Sequence, residues 1–298
     1  MGELIFLNKT KISLSHFFNK YVAAHLGRLA PHQRKKRRHD FAVFAHDFIG
    51  IQINVFGLYE KEELENLFHF LNSLQGVFEK SLVLDIGANI GNHAVFFSEK
   101  FQKVIAFEPN PSTFYLLKFN TSQLPNITVF NFGLGNEDGS FKMSERLANK
   151  GGNSIHLLTS TDDLIEVQIK KLDDILIDAK DISLMKIDVE GFEHKVLKGG
   201  ESVIKNYQPL ILLEQLEGEF KDGLSQSIEF LRKLDYKFCW HVRGIDTCRI
   251  LPRVLLNFWE VLFGRHQMVF TSDHVPIGNY PMLIAVPKRF QTILGMTT

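Results

Sequence analysis

The sequence predicts an α/β fold: a doubly wound, mostly parallel sheet with an antiparallel edge strand, preceded by an N-terminal helical extension. Three observations lead there. From residue 82 to residue 234, short apolar runs alternate with stretches of helical period, the pattern of strands joined by crossover helices. The first run ends in Asp85-Ile86-Gly87-Ala88-Asn89-Ile90-Gly91, a Gly-punctuated turn between strand and helix of the kind found in Rossmann-like sheets. The last two runs, 237–242 and 282–286, have no regularly placed crossover helix between them, which favours an antiparallel pair at the sheet edge.

Taken in order, residues 13–29 place Leu14, Phe17, Phe18, Tyr21, Val22, Leu26 and Leu29 at helical spacing, with Ser13 or Ser15 able to cap the start. Pro31 is expected to stop this helix, and the basic run 34–38 to form a solvated connector. Residues 49–56 read as a strand, and 60–74 as a helix with Leu64, Leu67, Phe68 and Leu71 on one face. Strands then follow at 82–86, 104–107, 127–131, 165–169, 184–187, 210–213, 237–242 and 282–286. Helices fall at 92–101, 112–120, 172–176, 194–204 and 225–234. The domain plan is an amphipathic helix with basic connector over 1–45, then one domain over 46–298 with an insertion at about 243–281.

Bulk properties exclude several classes. With 45% hydrophobic and 23% charged residues, the chain has the composition of a folded domain and not of a disordered one. Lys plus Arg and Asp plus Glu are both 34, so net charge predicts no polyanionic partner. The first twenty residues lack the charged and apolar regions of a signal peptide. The most apolar window, 250–263, is interrupted by Arg253, Asn257 and Glu260, so no membrane span is expected. Two cysteines, Cys239 and Cys248, suit a reducing, cytoplasmic setting and read as unpaired thiols. His25, His32, His39 and His46 recur every seven residues, but Pro31 and the apolar segment 41–56 argue against a shared metal-binding face. The apolar helix beside its basic run is read as a solvated face; peripheral contact with anionic lipid is the sharper alternative.

In the Asp85–Gly91 turn, Gly87 admits a ligand close to the backbone and Gly91 lets the next helix pack on the strand. Asn89 occupies the position where a dinucleotide fingerprint requires its second glycine, which disfavours a pyrophosphate. Asp85, at the strand end, suits a ligand with a cationic aminoacyl end. Glu108 closes the next strand some twenty residues on, in Phe107-Glu108-Pro109-Asn110, where a carboxylate can accept from both hydroxyls of a ribose. Its competing role is to cap the helix beginning near Ser112.

Five segments in order resemble the FkbM-type methyltransferases: 85–91, 107–110, 133–139, 151–154 and 186–193. The resemblance spans about 47–214 and reaches 282–287 more weakly. It implies an S-adenosyl-L-methionine-dependent O-methyltransferase on a methyltransferase-type sheet, acting on sugar or polyketide-type hydroxyls. Asp85, Gly87, Asn89, Gly91, Glu108 and Asn110 are then the expected cofactor residues. Residues 1–45 and 243–281 lie outside the resemblance.

The segment from Lys186 to His194 falls at the end of the fourth parallel strand, beside the cofactor edge. Methyl transfer to a hydroxyl needs an in-line acceptor and a base. Asp188, Glu190 and His194 are the candidates, Asp188 foremost, and Lys186 could orient the acceptor; for His194, at a helix start, a solvent-facing role weighs equally. Asp188, Glu190 and Glu214 could instead hold Mg²⁺, a reading not favoured because carboxylates also bind sugar hydroxyls without a metal. Asn153 and Ser154 are expected near the acceptor, as part of a closing loop that the resemblance favours over a surface turn, and Glu214, at the tip of the next strand, is expected to contact the substrate; 135–139 is read as a tight turn near the adenine edge.

The expected partner is therefore a small-molecule or glycan acceptor. A nucleic-acid methyltransferase is disfavoured by zero net charge and the lack of a base-flipping Asn-Pro-Pro-Tyr-type tetrapeptide. A nicotinamide oxidoreductase is opposed by Asn89, and a cofactor-binding scaffold without turnover is the non-enzymatic alternative. The sequence leaves the oligomeric state open.

Overall fold

The computed structural model describes residues 13–37, 40–45, 47–145, 163–175, 177, 179–243, 267–272 and 274–296. Helix α1 (Leu14–Arg37) continues through Pro31 into the basic run, so the expected stop does not occur. An interior proline removes one ladder hydrogen bond. Here the following turn is held from outside: Gln33 is buried, and its Nε2 donates to Val55 O at 2.9 Å. His25 and His32 therefore share a helix face after all; His39 and His46 lie outside the described residues.

Helix α2 (Phe48–Phe56) replaces the strand expected at 49–56. A short apolar run cannot be assigned by period alone. Its fully buried residue is Ile53, and Gly57, at φ 97°, ends it. Helix α3 (Lys61–Phe70) and a 3-10 turn over Asn72–Leu74 take the place of the expected 60–74 helix and its burial of Leu64, Leu67 and Leu71, and helix α4 (Gln75–Phe78) follows.

Strand β1 (Leu82–Ile86), helix α5 (Asn92–Ser98), strand β2 (Lys103–Phe107), helix α6 (Pro111–Thr121) and strand β3 (Ile127–Phe130) follow the expected alternation. Strands β4 (Gly133–Leu134), β5 (Gly139–Glu145) and β6 (Asp163–Lys170) then form a separate sheet in which β5 and β6 are antiparallel. The strand expected at 165–169 therefore exists but lies outside the main sheet. Its residues Val167 and Ile169 pack with Met143 and Phe192, a one-sided burial that suits a hairpin and not a central strand.

The main sheet resumes with β7 (Ile182–Ile187) and β8 (Leu210–Gln215), separated by α7 (Glu193–Gly199) and α8 (Glu201–Tyr207), which divide the expected 194–204 helix at Gly200. A small hairpin of β9 (Phe220–Lys221) and β10 (Leu224–Ser225) precedes α9 (Gln226–Arg232). Strands β11 (Lys237–Arg243), β12 (Gln267–Ser272) and β13 (Tyr280–Val286) complete the order β12-β11-β13-β8-β7-β1-β2-β3. From β3 to β8 the pairs are parallel, whereas β13 is antiparallel to β8 and β11, and β12 to β11. The antiparallel margin is wider than the expected pair because Gln267–Ser272, inside the segment read as an insertion, adds a strand.

Alternate residues of the parallel strands face opposite layers, as a pleated sheet requires. Val83, Val104 and Leu184 pack with α3, α4 and α5, while Leu84, Ile105 and Ile187 pack with α7 and α9. Among the described residues, no helix is long and apolar enough to cross a membrane. Cys239 is buried and free, and Cys248 lies outside the described residues.

Candidate active site

The sheet reverses its winding at β1, which lies between β7 and β2. At such a point the crossovers diverge and leave a crevice at the carboxyl ends of the strands. Asp85 and Lys186 are register partners across β1 and β7, so their charges meet there. Just beyond, Gly87 holds φ 78°, and a Cβ on it would lie 1.9 Å from Asp188 O. Only glycine lets the two strand ends touch in this way. Asn89 adopts φ 51°, and its Oδ1 accepts from Ile90 N at 2.7 Å. At Gly91 a Cβ would meet Leu117 Cδ1 at 2.9 Å, consistent with a packing role.

Glu108 is buried at the end of β2, where its Oε2 accepts from Asn89 N at 3.0 Å and its Oε1 from Asn110 N at 2.8 Å. Burial pushes this carboxyl up to about 7, against the two N–H groups and Lys186, which favour its charge. The cap of α6 is not Glu108 but Asn110, whose Oδ1 accepts from Ser112 N and Thr113 N. Asn110 and Asp85 are not among the residues that line the crevice cavity.

A cavity of about 390 Å³ opens in the crevice. Gly87, Asn89 and Glu108 line one part of it; Lys186, Asp188, Glu190 and Glu214 line another. Lys186 is buried, with Nζ 3.0 Å from Asp188 Oδ2 and 3.6 Å from Asp85 Oδ1, and it donates to Gly87 O at 3.2 Å. Burial disfavours its charge, but Asp188 and Asp85 outweigh that and keep the ammonium protonated. Burial likewise works against the Asp188 carboxylate, yet Lys186 holds its pKa below the usual range. Glu214 goes the other way: burial, then the charges of Asp188 and Glu190 and a hydrogen bond with Asp188, push it up to about 9. At neutral pH it is the protonated partner of Asp188.

Oxygens of Asp188, Glu190 and Glu214 lie within 4.8 Å of one another, close enough to take a small hard cation. The proton on Glu214 and the ammonium of Lys186 already offset much of this negative charge.

Of the expected catalytic residues, one does not join this group. His194 is absent from the cavity lining and sets its ring edge-on to Phe230, at 6.2 Å. Asn153 and Ser154 lie outside the described residues. Conversely, Tyr59, Glu60 and His93 line the cavity without having been expected to. His93 Nε2 stands 3.3 Å from Glu60 Oε2, and burial, with Glu60, pushes the Tyr59 hydroxyl up. The available signal for His93 was its place two residues after Gly91; Glu60, in a connection before a helix, carried none. Glu60, Asn89 and Glu190, at φ 54°, 51° and 53°, line this cavity in left-handed backbone, as Gln208, Asp222 and Asp235 do away from it.

Parts of the chain are similar in sequence to known proteins. The chain is 32% identical over 145 residues to the hexuronic acid methyltransferase AglP of Haloferax volcanii, covering 47% of this chain and 58% of that protein. It is 27% identical over 146 residues to Methyltransferase 1 of Beauveria bassiana, covering 41% and 59%. The matches thus take in under two thirds of these relatives' lengths. Among solved structures, a methyltransferase FkbM from Methylobacillus flagellatus KT aligns at 21% identity over 64% of this chain and 49% of that one, with a TM-score of 0.33. The methyltransferase FkbM domain profile matches residues 85–238, from Asp85 near the end of β1 to the second residue of β11. Since that is more than half of the 298 residues, the chain belongs to the FkbM methyltransferase family.

Proposed function

We propose that this chain binds S-adenosyl-L-methionine in the crevice and methylates a hydroxyl of a carbohydrate or similar polyhydroxyl small molecule. The observation that carries the reading is one cavity shared by the Gly87–Asn89 turn, the buried Glu108 carboxylate and the Asp188–Glu214 pair. The residues fit this cofactor. Gly87 lets the ends of β1 and β7 close up beneath the cavity, Glu108 suits two ribose hydroxyls, and neither oxygen of the fully buried Asp85 has a hydrogen-bond partner. When bound, S-adenosyl-L-methionine supplies an electrophilic methyl group.

The chain's own part is to orient the acceptor and take its proton. Asp188, held ionised by Lys186, would take the proton of an acceptor hydroxyl, and the protonated Glu214 donates to Asp188 and fixes its orientation. His93, set by Glu60, faces the same cavity as a second hydrogen-bonding group. The acidic lining of Asp188, Glu190 and Glu60 opposes a polyanionic acceptor, which tells against nucleic acid. The kinship with a hexuronic acid methyltransferase supports a sugar acceptor.

Calorimetric titration with S-adenosyl-L-methionine and S-adenosylhomocysteine, with NAD as control, tests the cofactor. Transfer of labelled methyl groups to neutral sugars and uronic acids tests the acceptor. Saturable binding and transfer to a sugar are expected. Binding without transfer to any acceptor would leave a scaffold, and absence of binding by folded protein would overturn the reading.

A further inference from the structure

Helix α1 presents a face that nothing among the described residues covers. Leu14, Phe17, Phe18 and Tyr21 are 90%, 70%, 63% and 68% exposed and share that face at three- and four-residue spacing. The same spacing carries the face onward through His25, Arg28, His32 and Lys35, all exposed. One stripe is therefore aromatic over its first half and basic or imidazole-bearing over its second. The run through Pro31 is what makes the stripe continuous.

Charge says what the stripe fits. The 24 residues of α1 hold six Lys or Arg and no Asp or Glu, within a chain whose net charge is zero. Exposed aromatic rings partition to the headgroup level of a bilayer, and clustered Lys and Arg are drawn to anionic lipid. A helix that carries both on one face can satisfy both at once by lying flat. The helix is also fastened to the domain, through Gln33 to Val55 O, on α2, whose Phe48 and Ile49 line the cavity. We infer that the exposed face of α1 docks on an anionic membrane surface and seats the domain there, a role that does not depend on which cofactor the crevice holds.

Flotation of the full chain with vesicles tests this. The chain should float with phosphatidylcholine vesicles containing about 30% phosphatidylserine and not with phosphatidylcholine alone, and added salt should weaken the binding. Two variants separate the halves of the stripe: Phe17→Ser with Phe18→Ser and Tyr21→Ser, and Arg28→Glu with Lys35→Glu. Because these side chains are exposed, both variants should keep the parent melting temperature while losing about tenfold or more in vesicle affinity. No flotation of the parent chain, or variants that bind as it does, would overturn the inference. So would a parent dimer that the aromatic variant turns into monomer without any vesicle binding, since the face would then belong to a second copy of the chain.

Discussion

The ammonium of Lys186 stands 3.6 Å from a carboxylate oxygen of Asp85, which is fully buried and has no hydrogen bond to either oxygen. Removing one member of a buried pair leaves the other charge uncompensated, which typically costs about 3–5 kcal/mol. Lys186→Met should therefore destabilise the fold by about that amount, and adding Asp85→Asn should recover part of the loss. Denaturant titration of the two single variants and the double variant measures the coupling. Strict additivity would mean that Lys186 does not neutralise Asp85.

Glu108 ties the cofactor edge to pH. Its carboxyl titrates at about 7 in the folded chain, raised by burial. The sign follows: the unfolded chain ionises this group at lower pH, so the folded state loses stability as pH rises from the ordinary carboxyl range towards 7. A ribose that donates to the carboxylate needs the ionised form. The affinity for S-adenosyl-L-methionine should thus weaken about tenfold between pH 8 and pH 6. Glu108→Gln should bind weakly at both pH values and show no such slope in calorimetry.

The crevice at the ends of β1 and β2 was legible because glycines and carboxylates at strand ends have few alternative uses. Gly87, Asn89 and Glu108 all line the expected cavity. The amino-terminal region was not legible for the opposite reason. Residues 48–56 are apolar without a decisive period, and the helix is set by burial of Ile53 and by Gly57 in left-handed backbone. Pro31 read as a stop, but the buried Gln33 and its bond to Val55 O hold the helix beyond it. Glu60 and His93 meet only because α3 and α5 are brought together in space, which no local pattern encodes. The cap that Asn110 supplies to α6 was likewise not expected from its neighbours in sequence.

At Gly87 two constraints coincide. Its φ of 78° disfavours any side chain, and a Cβ would sit 1.9 Å from Asp188 O. Relieving that contact means separating the ends of β1 and β7, the two strands that bring Asp85 to Lys186. Gly87→Ala should cost about 3 kcal/mol or more and abolish S-adenosyl-L-methionine binding even where the protein remains folded. Gly76→Ala, where a Cβ meets nothing within 4 Å, is the control and should change neither. Thermal melts with and without ligand decide between them.

The proton shared by Asp188 and Glu214 separates the two readings of the acidic cluster. Glu214 titrates at about 9 in the folded chain, far above its ordinary value, because it is buried beside Asp188 and Glu190. A raised carboxyl pKa means the folded state holds a proton that the unfolded chain has lost, so stability falls as pH climbs from the ordinary range to about 9. Glutamine mimics the protonated acid and does not titrate. The melting temperature of the parent should therefore fall by about 3 °C relative to Glu214→Gln between pH 6 and pH 9. If the proton and Lys186 balance the cluster without a metal, a chelator should leave both that curve and methyl transfer within about twofold of the untreated protein. A parent chain stabilised by millimolar Mg²⁺, with Glu214→Gln unresponsive, would show that the three carboxylates hold a cation in place of the proton.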